Sequence, residues 1–347
     1  MIVHDALKIA REWVNRYACK EIWFKGAYFS GSSLIKEANS ELPLYSDIDI
    51  MVVTSEKAPS LKLGKFLYKD VLLEVSYLPV NLFSSSEVIL SNYHLAYSFH
   101  HTEIISDPDH KLKPLQQLVS QNFSQYQWVY KRCLDAKEKA INGLKQIPTD
   151  LPYHEQVMSW LFPTGVTTHM YLTAALQNPT VRLRYYAVRK MLTHYNKSPI
   201  YEQLLHQIGC RNLSAEKVAH HLKELAMTFD LTTQVAKTPF FFSSDITKQA
   251  RPISIDGSQS LISQGFHRES VFWLLATFCR CHIILNVDAP TLHQDRFYAF
   301  EALLSDIGIL SSSDLYSRAE ATLLEMPNMW SGVLTILQQN STIIHSS

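Results

Sequence analysis

Three things are missing from this chain of 347 residues, and each narrows what it can do. The first is charge of one sign: Lys plus Arg and Asp plus Glu each number 32, and no Lys/Arg run marks a track for a polyanion. A small substrate is therefore favoured over nucleic acid. The second is a long hydrophobic run. No stretch approaches the roughly 18 uninterrupted apolar residues of a membrane span, and no basic start followed by an apolar core and a small-residue cleavage site opens the chain. No contact with a membrane is expected, and the expected location is the cytosol. The third is a cysteine framework, since Cys19, Cys133, Cys210, Cys279 and Cys281 form an odd, scattered set that points to reduced thiols. Cys279-Arg280-Cys281-His282 lacks a second ligand pair at finger spacing, and the histidines show no His-x-x-x-His pair with a glutamate nearby, so zinc is not expected. There is no internal repeat and no low-complexity segment.

What is present is a set of carboxylates in apolar strands. In Asp47-Ile48-Asp49-Ile50-Met51-Val52-Val53 side chains alternate faces, so Asp47 and Asp49 project together, about 6.6 Å apart along the strand, while Ile48 and Ile50 face the opposite layer. Glu74 interrupts a second apolar run, Val71 to Leu78, where an unpaired buried carboxylate costs several kcal/mol unless it is protonated or meets a cation. Three convergent carboxylates imply Mg²⁺, a hard ion that takes oxygen ligands and substrate phosphates. Ahead of them, Ser30-Gly31-Ser32-Ser33 follows an apolar run and precedes a short helix-compatible stretch, Leu34 to Ala38. Gly31 permits a tight turn, Ser32 and Ser33 offer hydroxyls, and free N–H groups at a helix start favour a phosphate. Each piece alone has a plainer reading as a turn or cap. The ordered set is far more specific.

In that order of elements the chain resembles the nucleotidyltransferase superfamily of DNA polymerase beta type, through Gly31-Ser32, Ser46-Asp47-Ile48-Asp49 and Glu74. Within it the likeness is to bacterial stand-alone enzymes with a helical C-terminal domain, the aminoglycoside nucleotidyltransferases among them. It covers roughly residues 20 to 110. The gap between Ser32 and Asp47 is slightly longer than usual, and the glycine often found shortly after the Gly-Ser pair is absent. The resemblance implies Mg²⁺-dependent transfer of a nucleoside monophosphate from an NTP, ATP by preference, to a hydroxyl of a small molecule, releasing pyrophosphate. Asp47 and Asp49 would hold two Mg²⁺ ions, Glu74 would complete the ion nearest the nucleophile, and Gly31, Ser32 and Ser33 would hold the outer phosphates. Nucleotidylation of a protein partner and a non-catalytic nucleotide-binding regulator stay open as alternatives. A homodimer is compatible with all three.

Length and the 46% hydrophobic content support two packed cores. The expected fold is α+β, a nucleotidyltransferase domain over residues 1–112 with a small mixed sheet, followed by an all-α acceptor-binding domain over 113–347. Helical spacing over Asp5 to Tyr17 is followed by strands at Ile22–Phe29, Ile48–Val53, Lys65–Tyr68 and Val71–Leu78, the last two a hairpin about Lys69-Asp70. A helix over Ser84–Tyr97 and a short strand at Glu103–Ser106 come next. Beyond Lys113 one long helical pattern covers Pro114 to Lys145 and others follow, punctuated by prolines that include Pro163, while Ser243 to Gln264 reads as a long loop able to cover a site.

By the same resemblance the helical half should receive the acceptor and can supply a carboxylate base. Glu269 and Glu155 are the candidates, each with the plainer reading that it favours its helix N-terminus. Trp160, Tyr171, Tyr185, Tyr186 and Trp273 are read as core before they are read as stacking platforms. Arg182, Arg184, Arg189 and Lys190 could serve a polyphosphate or an acidic partner, but are read first as a solvated face.

Overall fold

In the structure, a computed structural model that describes residues 1–35, 37–43 and 45–345, the alternation along Asp47–Val53 sorts side chains onto the two faces of a five-stranded sheet. Its strands are β1 (Phe24–Ser30), β2 (Ile48–Thr54), β3 (Gly64–Tyr68), β4 (Val71–Pro79) and β5 (Ile104–Ser106), in the order β3-β4-β2-β1-β5. β2 and β4 run parallel, in a register that sets Asp49 opposite Glu74, and the other neighbours are antiparallel. The β3–β4 hairpin turns at Lys69 and Asp70, both in the left-handed region with φ of 48° and 63°, as a two-residue turn matched to strand twist requires.

One face of the sheet packs on α1 (Val3–Arg16). Ala6, Ala10, Trp13 and Val14 recur at helical spacing and meet Ile48, Ile50, Val52, Leu73 and Val75, each large aliphatic worth about 1.5–3 kcal/mol when fully buried. On the other face, Tyr28 and Val53 are covered by α2 (Ser86–Ser91), α3 (Tyr93–His100) and α4 (Leu112–Asn122). The single helix expected over Ser84–Tyr97 is thus two. Asn92 adopts an extended conformation, and its side-chain oxygen accepts from the N–H groups of His94 and Leu95, starting α3 afresh. The long pattern from Pro114 also divides, with α5 (Tyr126–Lys145) beginning anew after α4, whose own start is capped by Asp107 accepting from the N–H groups of Lys111, Leu112 and Lys113.

The remaining elements are α6 (Tyr153–Ala174), α7 (Arg184–His194), α8 (Ser198–Gln207), α9 (Ala215–Val235), α10 (Gly257–Ser263), α11 (His267–Asp288), α12 (Pro290–Asp306) and α13 (Ser312–Gln339). α11 is the axis of this half: every residue from Glu269 to Leu285 is buried, against α6, α7, α9, α10 and α12 among others. Among the described residues it is also the one helix long and apolar enough to cross a membrane, and its apolar surface is spent inside the chain. The fold is mixed α+β and mostly helical.

Two sequence expectations need correcting here. Pro163 does not end a helix but lies inside α6, where Gly143 of α5 leaves room for its ring. Ser243–Gln264 is not a bare loop: it holds a 3₁₀ turn (Ser243–Asp245), a π-helical turn (Pro252–Asp256) and α10. The wider π turn rotates the side chains out of a 3.6-residue period, which hides the helix from a periodicity reading.

Candidate metal centre

Asp47, Asp49 and Met51 share the face of β2 that is turned from α1, and Glu74 and Ser76 lie beside them on β4. Where α2–α4 stop covering this face, a cavity of about 460 Å³ opens. Its floor is the sheet, and its walls come from Ser30–Ser32, from α3, from residues 178–183, from Asp245 and Ile253, and from Trp273 and Arg280 of α11. One oxygen from each of Asp47, Asp49 and Glu74 lies within 4.8 Å of the others, the all-oxygen donor set that a hard divalent cation takes. The predicted trio is thus brought together on one surface.

Gly31 lines the same cavity with φ of 78°, and any Cβ there would strike the carboxylate of Asp49. The turn therefore requires glycine twice, for its backbone and for the approach to Asp49. Ser32 is exposed and lines the cavity. Ser33 does not: it is buried, with its hydroxyl directed at the Ser30 carbonyl at 3.5 Å. The helix expected over Leu34–Ala38 is only a 3₁₀ turn, Ser32–Ile35, too short to supply a helix dipole, and Lys36 within that stretch lies outside the described residues.

The charges are unevenly matched. Lys62 Nζ reaches one oxygen of Glu74 at 2.6 Å, and Lys65 Nζ donates to the other. Lys65 also bonds Asp245 at 2.8 Å and stands 3.4 Å from Asp47. Burial pushes the Glu74 carboxyl up, but the two ammonium groups prevail and hold it at about 2. Burial raises Asp47 as well, opposed by Lys65 and reinforced by Glu74, and the net shift is upward. Asp49 receives no hydrogen bond or ion pair from any described residue; burial first, then the charges of Asp47 and Glu74, drive its carboxyl well above the ordinary range. A half-buried carboxylate that repels its neighbours and has no bonded partner among the described residues fits a site for a cation.

The expected bases fall elsewhere. Glu269 is buried in the helical core, accepting from Arg189 at 2.6 Å and from Tyr201, and Glu155 sits in the first turn of α6; neither lines the cavity. The basic cluster is not a solvated face either. Arg184 is buried over the Phe272 ring, Arg189 pairs with Glu269, and Arg182 lines the cavity, leaving Lys190 as the exposed member. Trp160, Tyr171 and Tyr185 are core, Tyr186 is half-buried, and Trp273, although buried, also borders the cavity.

Three charged residues of the cavity escaped the sequence reading. Lys65 was within reach of it, because a two-residue turn at Lys69-Asp70 places Lys65 opposite Glu74. Asp245 and Arg280, paired at 3.1 Å, carry no local signal, since the fold alone brings them beside Lys65. Compared with known proteins, the chain matches no protein-family model and no curated relative.

Proposed function

We propose that the chain is a Mg²⁺-dependent nucleotidyltransferase, with a nucleotidyltransferase-type fold over residues 1–112 and a helical acceptor-binding part over 113–347. The observation that carries this reading is the placement of Asp47, Asp49 and Glu74 within 4.8 Å of one another, in one cavity with the Gly31-Ser32 turn. Asp47 and Asp49, with Glu74 beside them, would hold Mg²⁺, which when bound lowers the pKa of an acceptor hydroxyl and offsets charge on the leaving pyrophosphate. Ser32 and the backbone at Gly31 would receive the outer phosphates of the NTP. In the transfer an acceptor oxygen bonds to the α-phosphorus, the bond from that phosphorus to pyrophosphate breaks, and the hydroxyl proton leaves to solvent. No described carboxylate of the helical half that lines the cavity stands free as a base: Asp245, the one there, is engaged by Lys65 and Arg280 and acts by positioning Lys65. The test is release of pyrophosphate from NTPs across a panel of hydroxyl acceptors with Mg²⁺. Release that disappears in Asp47→Asn and Asp49→Asn supports the reading; no release with any pair contradicts it.

One observation favours a second reading, a nucleotide-binding regulator without turnover. Both oxygens of Glu74 are already engaged by lysines, so the trio offers a metal fewer free ligands than its spacing suggests. In that case Mg²⁺-nucleotide binds and no pyrophosphate appears. Mass spectrometry after incubation with ATP and lysate detects the remaining possibility, a protein acceptor.

A further inference from the structure

The carboxylates lining the cavity, among the described residues, are Asp47, Asp49, Glu74 and Asp245, and none is left over for a substrate. Glu74 is held by Lys62 and Lys65, Asp245 by Lys65 and Arg280, and Asp47 and Asp49 belong to the metal trio. Beyond Met51 and Ser76 a second hollow of about 320 Å³ continues the same face, and the one Lys, Arg, Asp or Glu lining it is Lys139. An ammonium-rich acceptor would find no free acid in either space. The lysines and arginines are Lys62, Lys65, Arg182 and Arg280, and three of these are paired to carboxylates. Arg182 makes no hydrogen bond or ion pair with any described residue. It belongs to the segment that leads into α7, and its guanidinium lies over Gly257 at the start of α10, where an added Cβ would come within 2.7 Å of Nη1. Glycine thus makes a slot for a half-buried cation on which the charge of Asp47 acts without bonding it, so its N–H donors remain open to an anion.

We infer that the acceptor is an anionic hydroxyl compound, of the sugar-acid or sugar-phosphate class, whose oxyanion pairs with Arg182. This rests on the nucleotidyl-transfer reading for the word acceptor, while the anion site itself stands on Arg182 and the charge inventory. A planar guanidinium offers two parallel N–H donors to a carboxylate or phosphate, the geometry that separates such a ligand from its neutral counterpart. The polyphosphate of the nucleotide is the other source of an oxyanion. It has its own receiving groups at Gly31-Ser32 on the sheet side, whereas Arg182 is contributed by the helical half.

The test is calorimetry on the full chain, with and without Mg²⁺ and a non-hydrolysable ATP analogue, titrated with glucose, glucuronate, glucose 6-phosphate and a multiply protonated aminoglycoside. The acidic sugars are expected to bind more tightly than glucose, and the aminoglycoside not to bind. Arg182→Gln should weaken the acids roughly 10- to 100-fold and leave the ATP analogue within about 3-fold, with Arg182→Lys intermediate. Gly257→Ala, which keeps the charge but displaces the guanidinium, should also weaken the acids. Aminoglycoside binding, acids that bind no better than glucose, or an Arg182→Gln effect confined to the ATP analogue each overturn the inference. Failure of the ATP analogue to bind sinks the nucleotidyl-transfer reading instead, and the nucleotide-free titrations still decide whether Arg182 receives the acids.

Discussion

Lys65 is the residue on which the electrostatics of the cleft turn. Its side chain is 8% exposed, and its ammonium is shared by Glu74, Asp47 and Asp245, whose charges outweigh burial and raise its pKa. Removing one member of such a buried set leaves the others uncompensated, so Lys65→Met should cost about 3–5 kcal/mol in EDTA. Chemical denaturation with and without Mg²⁺ checks this, and Mg²⁺ should restore part of the loss by neutralising the same carboxylates. Asp49 gives a prediction with a definite sign. A carboxyl whose pKa is higher in the folded chain holds its proton more tightly there, so its contribution favours folding at low pH and is lost as pH rises through the raised value. Asp49→Asn should therefore melt higher than the parent in EDTA at pH 8, with the difference closing towards pH 4, as read by thermal unfolding. Glu74 works in the opposite sense: held at about 2 against an ordinary 4.5, it stabilises the fold above that range and ceases to do so as pH falls between the two values.

At the scale of the element, the site is made by strand alternation and strand register, and these are what a sequence displays. The face shared by Asp47 and Asp49 follows from a period of two, and the hairpin turn at Lys69-Asp70 fixes which residue stands across from Glu74. The Gly31 turn was legible as a turn, but its closeness to Asp49 was not, because that contact depends on β1 and β2 being neighbours. Gly31→Ala should cost about 1–2 kcal/mol for the left-handed backbone and, more tellingly, push Asp49 aside. Circular dichroism should report a folded protein, and Mg²⁺-dependent ATP binding should fall at least as far as in Asp49→Asn. Retained binding would show that the turn does not position the carboxylate. Helix breaks were the least legible feature, since Asn92 ends one helix and caps the next within a run that reads as continuous.

At the scale of the molecule, the cavity lies where the sheet meets the helical half, and the residues contributed by the latter were not legible. Asp245 closes a 3₁₀ turn in a stretch without helical period, and Arg280 sits in a helix whose apolar run reads as pure core. Their pairing, and the link from Asp245 to Lys65, tie the two halves through buried charge. Asp245→Asn and Lys65→Met should consequently be non-additive in denaturation, with a coupling of about 0.5–3 kcal/mol in a double-mutant cycle. Additive effects would mean that the link carries no energy. Glu269 teaches the converse lesson: a glutamate opening an apolar helix is a candidate base as well as a helix-start residue in sequence, and in the fold it is buried in the core, paired with Arg189 and hydrogen-bonded by Tyr201. The most direct measurement of the central claim, that Asp47, Asp49 and Glu74 gather a divalent cation for a nucleotide, is calorimetry of ATP binding with and without Mg²⁺ in the native chain and in Asp47→Ala Asp49→Ala. ATP binding that needs Mg²⁺ in the native chain and vanishes in the double variant is the predicted result, and binding indifferent to Mg²⁺ or to the loss of both aspartates would contradict it.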